Sequence, residues 1–222
     1  MQEIKVLEKE KVMGKVDINK KQKRTSLLNT AYELFTTKGV NKTSIAEISK
    51  AAGIAKGTFY LYFKDKYDIR NKLISHESSK LFKAAKSALD EYIEEKGQMS
   101  FTDGLIFIAN HIINALAQDK SLLTFISKNL SWGIFKQALT TNVSDDDINF
   151  EHVFYDMIES AEEEIEEPEI MIFQIVELLS STAYSAILYE EPVDIEKLKP
   201  YLYQTIRTII NNHQSGAARY SD

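Results

Sequence analysis

Lys56, Gly57 and Thr58, followed by Tyr60 and Tyr62, form a set of groups suited to the edges and backbone of a nucleic-acid duplex. Lys56 can donate to guanine O6 and N7, and Thr58 can bond a base or a phosphate. Gly57 has no side chain, so backbone and duplex can approach closely. The hydroxyls of Tyr60 and Tyr62 suit phosphates, while Phe59 and Phe63 are expected to point back into a core. Lys64 and Lys66 add positive charge at the far end of this segment. Upstream, Lys42, Thr43 and Ser44 open a preceding helix, where free backbone N–H groups can hold a phosphate.

Such residues work only if short helices present them. Apolar residues at helical spacing predict one helix carrying Leu27, Leu28, Ala31, Leu34 and Phe35, with Gly39 as its C-terminal cap. A second short helix carries Thr43, Ile45, Ala46, Ile48 and Ala52, and stops at Gly53. A third covers residues 56–63. Gly53-Ile54-Ala55 between the last two makes a helix-turn-helix, because Gly53 can take the positive φ that a sharp turn demands. Ile45, Ile48, Ala52 and Ile54 supply a small apolar interface that lets the two helices cross closely. The second helix of such a pair can lie in a major groove with its first turn at the base edges.

The remaining chain also reads as helix, so the expected fold is all-α. A long fourth helix covers residues 65–95, carries Ile69, Leu73, Leu81, Ala84, Ala85, Ala88 and Leu89, and ends at Gly97. Helices follow at 101–118, 121–139 and 150–164, with a polar, acidic connection at 140–147. Pro168 stands at a first-turn position and opens a helix over 169–189. A last helix over 195–210 contains Pro200, which predicts a kink or a split start. The tail after Asn212 is expected to fray.

Composition narrows the classes. The 222 residues include 8 Gly, 3 Pro and no Cys, which excludes a disulfide scaffold, a thiolate metal cluster and a cysteine nucleophile. There is no Gly-rich phosphate loop, HExxH or GxSxG, so an enzyme is not expected and neither catalytic nor metal-ligating residues are assigned. The acidic runs 145–147 and 162–167 lack metal-ligand spacing and read as solvated faces. Glu3, Glu8 and Glu10 argue against a secretory leader, and Gln174 and Glu177 against a membrane span, so the expected location is the cytoplasm. Charge is uneven. Residues 1–72 hold 16 of the 27 Lys and Arg but only 8 of the 33 Asp and Glu, so a basic first third precedes an acidic remainder. That asymmetry suits a polyanion-binding head.

The residues Ala31, Phe35, Gly39, Val40, Thr43, Ser44, Ile45, Ala46, Ile48, Ala52, Gly53, Ile54, Gly57, Thr58, Phe59, Tyr60, Tyr62, Phe63 and Lys66 together resemble the DNA-binding domain of the TetR family of transcriptional repressors. Ala55 departs from the pattern, since the family usually has Ser or Thr there as a helix cap, worth about 1 kcal/mol. Ile69 in place of Leu is a milder departure. The resemblance implies an N-terminal three-helix DNA-binding domain over 22–68, after an extension over 1–21, and a helical ligand-binding and dimerisation domain over 69–222. It carries DNA contact onto Thr43, Ser44, Lys56, Gly57, Thr58, Tyr60, Tyr62 and Lys66, with Lys23 and Arg24 as further backbone contacts. The extension itself is expected to be a flexible tail rather than a DNA-reaching arm.

The expected function is a ligand-responsive repressor, without a cofactor, that binds a palindromic double-stranded operator as a homodimer and is released by a small apolar or amphipathic effector. The helix over 169–189 is apolar almost all round, so it should be buried on more than one side and pair, with 195–210, across a two-fold axis. Phe107, Phe125, Trp132 and Phe154 are expected to line an apolar pocket, with Asn110, His111, Asn114 and Glu177 as polar anchors. The fourth helix, joining head to body without a break, is the expected lever of induction. An architectural DNA binder or a protein-interaction module without an effector is the alternative.

Overall fold

The computed structural model describes residues 15–127, 150–159, 161 and 163–215. Trp132, Phe135, the connection over 140–147 and the first 14 residues lie outside them. Nine helices are present among the described residues: α1 (Lys15–Lys38), α2 (Ile45–Ala51), α3 (Lys56–Phe59), α4 (Lys66–Lys96), α5 (Phe101–Gln118), α6 (Lys120–Ser127), α7 (Phe150–Glu159), α8 (Pro168–Leu188) and α9 (Ile195–Asn212). The chain divides into two compact units, 1–69 and 70–222, and α4 runs unbroken through the boundary.

In the first unit, Leu27, Ala31 and Phe35 of α1, Ile48 of α2, Phe59, Phe63 and Ile69 are all at most 3% exposed. Apolar residues of four elements thus converge on one small core, which fixes α2 against α3. Two expectations change here. α1 starts at Lys15, so part of the supposed tail is helical. The third helix closes its regular portion at Phe59. Beyond it, the Leu61 N–H donates to the Thr58 carbonyl (3.1 Å) and the Tyr62 N–H to the Phe59 carbonyl (3.0 Å), a tighter turn that carries the chain on to Phe63.

The second unit packs α5 against α6, α8 and α9. Leu105, Ile106 and Ala109 of α5 meet Phe154 of α7, Met171, Ile172 and Ile175 of α8, and Ile206 and Ile210 of α9. A second cluster joins Ile113 and Leu123 to Ala183, Ile187 and Leu202. Pro168 stands in the first turn of α8, where its missing N–H costs nothing. Pro200 does not split α9, which runs through it from Ile195. The residues after Asn212 are not frayed at first: Gln214 bridges Ile165, the Glu166 N–H donates to the His213 carbonyl (2.7 Å), and the Ser215 N–H donates to the Glu164 carbonyl (3.0 Å). The acidic run therefore holds residues 213–215, with Ile165 buried within it.

By length and composition α8 is able to cross a membrane, with an 18-residue window of mean hydropathy 1.5, of which 33% is buried. Its other side is exposed: Ile170, Phe173, Gln174, Glu177 and Ser181 recur at three- and four-residue spacing along one stripe.

Candidate nucleic-acid interface and effector cavity

The turn into α3 is built as its residues require. Gly53 takes φ +67°, and the Ile54 N–H donates to the Ser49 carbonyl at 2.9 Å. Ala55 caps α3 without a side-chain bond, leaving the Thr58 and Phe59 N–H groups to the Ala55 carbonyl at 2.8 and 3.3 Å. Phe59 and Phe63, at 0% and 1% exposure, nail one side of the segment to the core. The opposite side then faces outward, with Lys56, Gly57, Tyr60, Leu61 and Lys64 exposed and Thr58 and Tyr62 half-buried. A Cβ on Gly57 would meet nothing within 4 Å, so the head's own packing does not demand glycine there. Leu61, 76% exposed, belongs to this surface although no chemical argument from the sequence marked it. Its only signal was its place between the two tyrosines of an aromatic run.

Two of the expected contacts have other duties. Thr43 is 1% exposed, and its hydroxyl donates to the Gly39 carbonyl at 2.9 Å, so it holds the turn between α1 and α2. The ammonium of Lys66 donates to the carbonyls of Val40 (3.1 Å), Asn41 (3.2 Å) and Thr43 (3.3 Å). Three donors meet three acceptors. Lys66 is thereby a brace from the start of α4 to the 40–43 turn, where a DNA contact was expected. Lys42 and Ser44 remain exposed beside Lys56 and Tyr60 around one open cleft.

A capping box takes up two of the amides at the start of α2, those of Ser44 and Glu47. The Glu47 N–H donates to the Ser44 hydroxyl (3.2 Å), and the Ser44 N–H donates to the Glu47 carboxylate (2.8 Å). The Ser44 N–H and hydroxyl, with Lys38 at 3.2 Å, pull the Glu47 pKa down to about 2. The folded value lies below the ordinary one, so this cap stabilises the head above pH 4.5 and is lost as pH falls from 4.5 towards 2.

The second unit holds an apolar cavity of about 180 Å³. Leu105, Ile108, Ala109, Ile112, Ile113 and Leu116 form its α5 wall, and Ser78, Ser79, Ser127 and Ser180 bring hydroxyls to it. Of the expected ligand residues, Phe154 lines it. Asn110 and Asn114 sit elsewhere on α5: Asn110 Oδ1 accepts the Tyr203 hydroxyl at 2.7 Å, and Asn114 Oδ1 accepts Lys199 Nζ at 2.6 Å. Lys199, 9% exposed, also pairs with Glu196 at 2.6 Å. Burial, then the nearby Glu196 carboxylate, pushes the Tyr203 phenol up to about 12, so it stays a donor at neutral pH. Phe107 packs at a tilt against Tyr92 with ring centroids 5.4 Å apart, His111 is half-buried off the cavity wall, Phe125 is buried outside it, and Glu177 lies on the exposed stripe of α8. Trp132 is among the residues not described. The wall is the aliphatic stripe of α5 at three- and four-residue spacing, a pattern legible in the sequence but overshadowed by its aromatic and polar neighbours.

A small head presenting one outward helix after a sharp glycine turn, joined to an all-helical unit with an apolar cavity, defines a helix-turn-helix protein of the regulator type. Residues 27–73 match the family "Bacterial regulatory proteins, tetR family", so the head is similar to the DNA-binding part of that family. Over 50 residues it is 44% identical to the HTH-type transcriptional regulator AcrR of Shigella flexneri, covering 22% of this chain and 23% of that protein. Over 105 residues it is 33% identical to the fatty acid metabolism regulator protein of Bacillus subtilis, covering 46% of this chain and 50% of the relative. The matches thus span from about a fifth to a half of the first curated relatives' length. The fold extends further. The structure of Thermus thermophilus FadR, a TetR-family repressor in complex with lauroyl-CoA, aligns with TM-score 0.57 at 18% identity, over 90% of this chain and 99% of that one.

Proposed function

We propose that the protein is a dimeric transcriptional repressor whose two heads read a palindromic operator and whose body releases it on binding an amphipathic effector with a long hydrocarbon chain. The observation that carries this reading is the outward face of α3, where Lys56, Gly57, Tyr60 and Leu61 lie free of the core that holds Phe59 and Phe63. Lys42, Ser44, Tyr62 and Lys64 flank it as phosphate contacts, with Thr58 at the base edges.

The effector class is supported by the cavity, whose lining is apolar apart from serines. It is also supported by the similarity to a fatty acid metabolism regulator and to a repressor solved with lauroyl-CoA. The dimer is supported by α8. Ile170 and Phe173 are 48% and 39% exposed on a helix whose other side is core, and the neighbouring α9 exposes Tyr201, Gln204 and Thr208 at matching spacing. A second copy covering both helices would bury that stripe in a four-helix bundle, which gives α8's apolar character a role that needs no bilayer.

The test is a selection of duplexes from a random pool by the full chain, followed by titration of the selected duplex–protein complex with acyl-CoAs of twelve to eighteen carbons. A palindromic consensus released by acyl-CoA but not by CoA alone is expected. Absence of any preferred duplex contradicts the reading.

A further inference from the structure

We infer that Asn110, Asn114, Lys199 and Tyr203 are positioning residues that tie the effector cavity to the two-fold face, an inference that rests on the effector and dimer readings above. They form one continuous hydrogen-bonded chain between α5 and α9. Lys199 Nζ donates to Glu196 Oε1 at 2.6 Å and to Asn114 Oδ1 at 2.6 Å. The Asn114 amide donates onward to Asn110 Oδ1 at 3.3 Å, and the Tyr203 hydroxyl donates to that same oxygen at 2.7 Å. Towards the start of α5 a further pair, Asp103 and Arg207, joins the two helices at 2.5 Å, but it is about half exposed and open to screening.

The network occupies the second face of each helix. On α5 the cavity wall is Leu105, Ile108, Ala109, Ile112, Ile113 and Leu116. At about 100° per residue, Asn110 and Asn114 lie roughly 150° around α5 from the centre of that wall. On α9, Lys199 and Tyr203 are one turn apart and face α5, while Tyr201, Gln204 and Thr208 are exposed on the far side. The four residues therefore stand off the cavity and off the proposed two-fold stripe, and link the helix that walls the one to the helix that bears the other.

The kind of link decides what it transmits. Leu105, Ile106 and Ala109 also meet Ile206 and Ile210, but apolar contact is non-directional and does not fix the register of one helix along another. Hydrogen bonds do, because they weaken steeply with misalignment. Here breaking them leaves partly buried amides and an ammonium that is 9% exposed without partners, which is costly. An α5 displaced by an acyl chain in the cavity therefore carries α9 with it instead of slipping past. The pairing of two copies through α8 and α9 then changes, and with it the spacing of their heads.

The experiment measures a coupling factor on the full chain: the Kd for the selected duplex at saturating acyl-CoA divided by the Kd without it. The probe is lauroyl-CoA or stearoyl-CoA, whichever releases the wild type at the lower concentration. The variant Lys199→Met/Tyr203→Phe keeps side-chain volume and leaves the two asparagines bonded to each other. A wild-type factor of about 5–150 is expected, and the variant should fall to within about threefold of unity. Its acyl-CoA Kd without duplex and its duplex Kd without acyl-CoA should each stay within about threefold of wild type, with a dimer by sedimentation. If far-UV circular dichroism shows the double variant unfolded, Tyr203→Phe alone is measured, with the factor expected to fall at least about threefold. An unchanged factor, whatever happens to Tm, overturns the inference and leaves the network a packing device. A folded variant that no longer binds acyl-CoA, or that is monomeric, also overturns it, since the network would then build the cavity or the interface and not link them. A wild type released by no acyl-CoA of twelve to eighteen carbons removes the effector reading and this inference with it.

Discussion

Lys66 and Lys56 are the same residue type ten positions apart in one basic segment, and the structure gives them opposite roles. Lys56 is exposed on the outward face of α3. Lys66 spends its three donors on the carbonyls of Val40, Asn41 and Thr43. A lysine at the edge of a cleft is therefore a phosphate ligand only when its ammonium is not already saturated. Lys66→Met should lower the thermal stability of the head by about 1 kcal/mol, because partly exposed charged hydrogen bonds are lost. The salt dependence of DNA binding should not change. A slope reduced by about 1 per head, read from binding isotherms across a salt series, would instead make Lys66 a phosphate contact. Thr43 follows the same logic: its hydroxyl is held inside the turn and has no free face to offer.

At the scale of elements, the sequence was most legible where apolar spacing and a terminator agreed. Phe101 and Gln118 bound α5 as expected, and Gly53 makes the turn that its position required. It was least legible where a residue's role depends on what lies across from it. Nothing in the order of Asn110, Asn114 and Lys199 announces that they meet over 85 residues of chain, yet that meeting draws the two amides away from the cavity. The start of α1 was missed for a related reason: without an apolar face, residues 15–25 give no periodic signal, although Lys and Gln are good helix formers. The cavity wall on α5 allows a direct test. Ala109 is 5% exposed and faces the cavity, so Ala109→Leu adds volume where an acyl chain would lie. Operator affinity should be retained while the acyl-CoA concentration needed for release rises by about tenfold, the effect of roughly 1.4 kcal/mol of lost effector binding. An unchanged release curve would place the effector elsewhere.

At the scale of the whole molecule, the head is basic and the rest acidic, so the −6 net charge hides an asymmetry that suits the proposed binding of DNA through the head. The proposed two-fold assembly through α8 and α9 would supply the second head that a palindrome needs. Ile170→Glu/Phe173→Glu places like charges on the proposed two-fold stripe and should give a monomer by sedimentation. Loss of the second head should weaken operator binding by about a hundredfold or more, since avidity is lost without any change in α3. A variant that remains dimeric would move the interface off α8.

The central claim is that the outward face of α3 reads base edges, and Lys56→Ala measured by titration on the selected and random duplexes tests it most directly. Loss of one specific base contact per head should cost about 1–3 kcal/mol per half-site on the selected duplex and leave the random one nearly unchanged. Equal affinity of wild type and variant for both duplexes would contradict it.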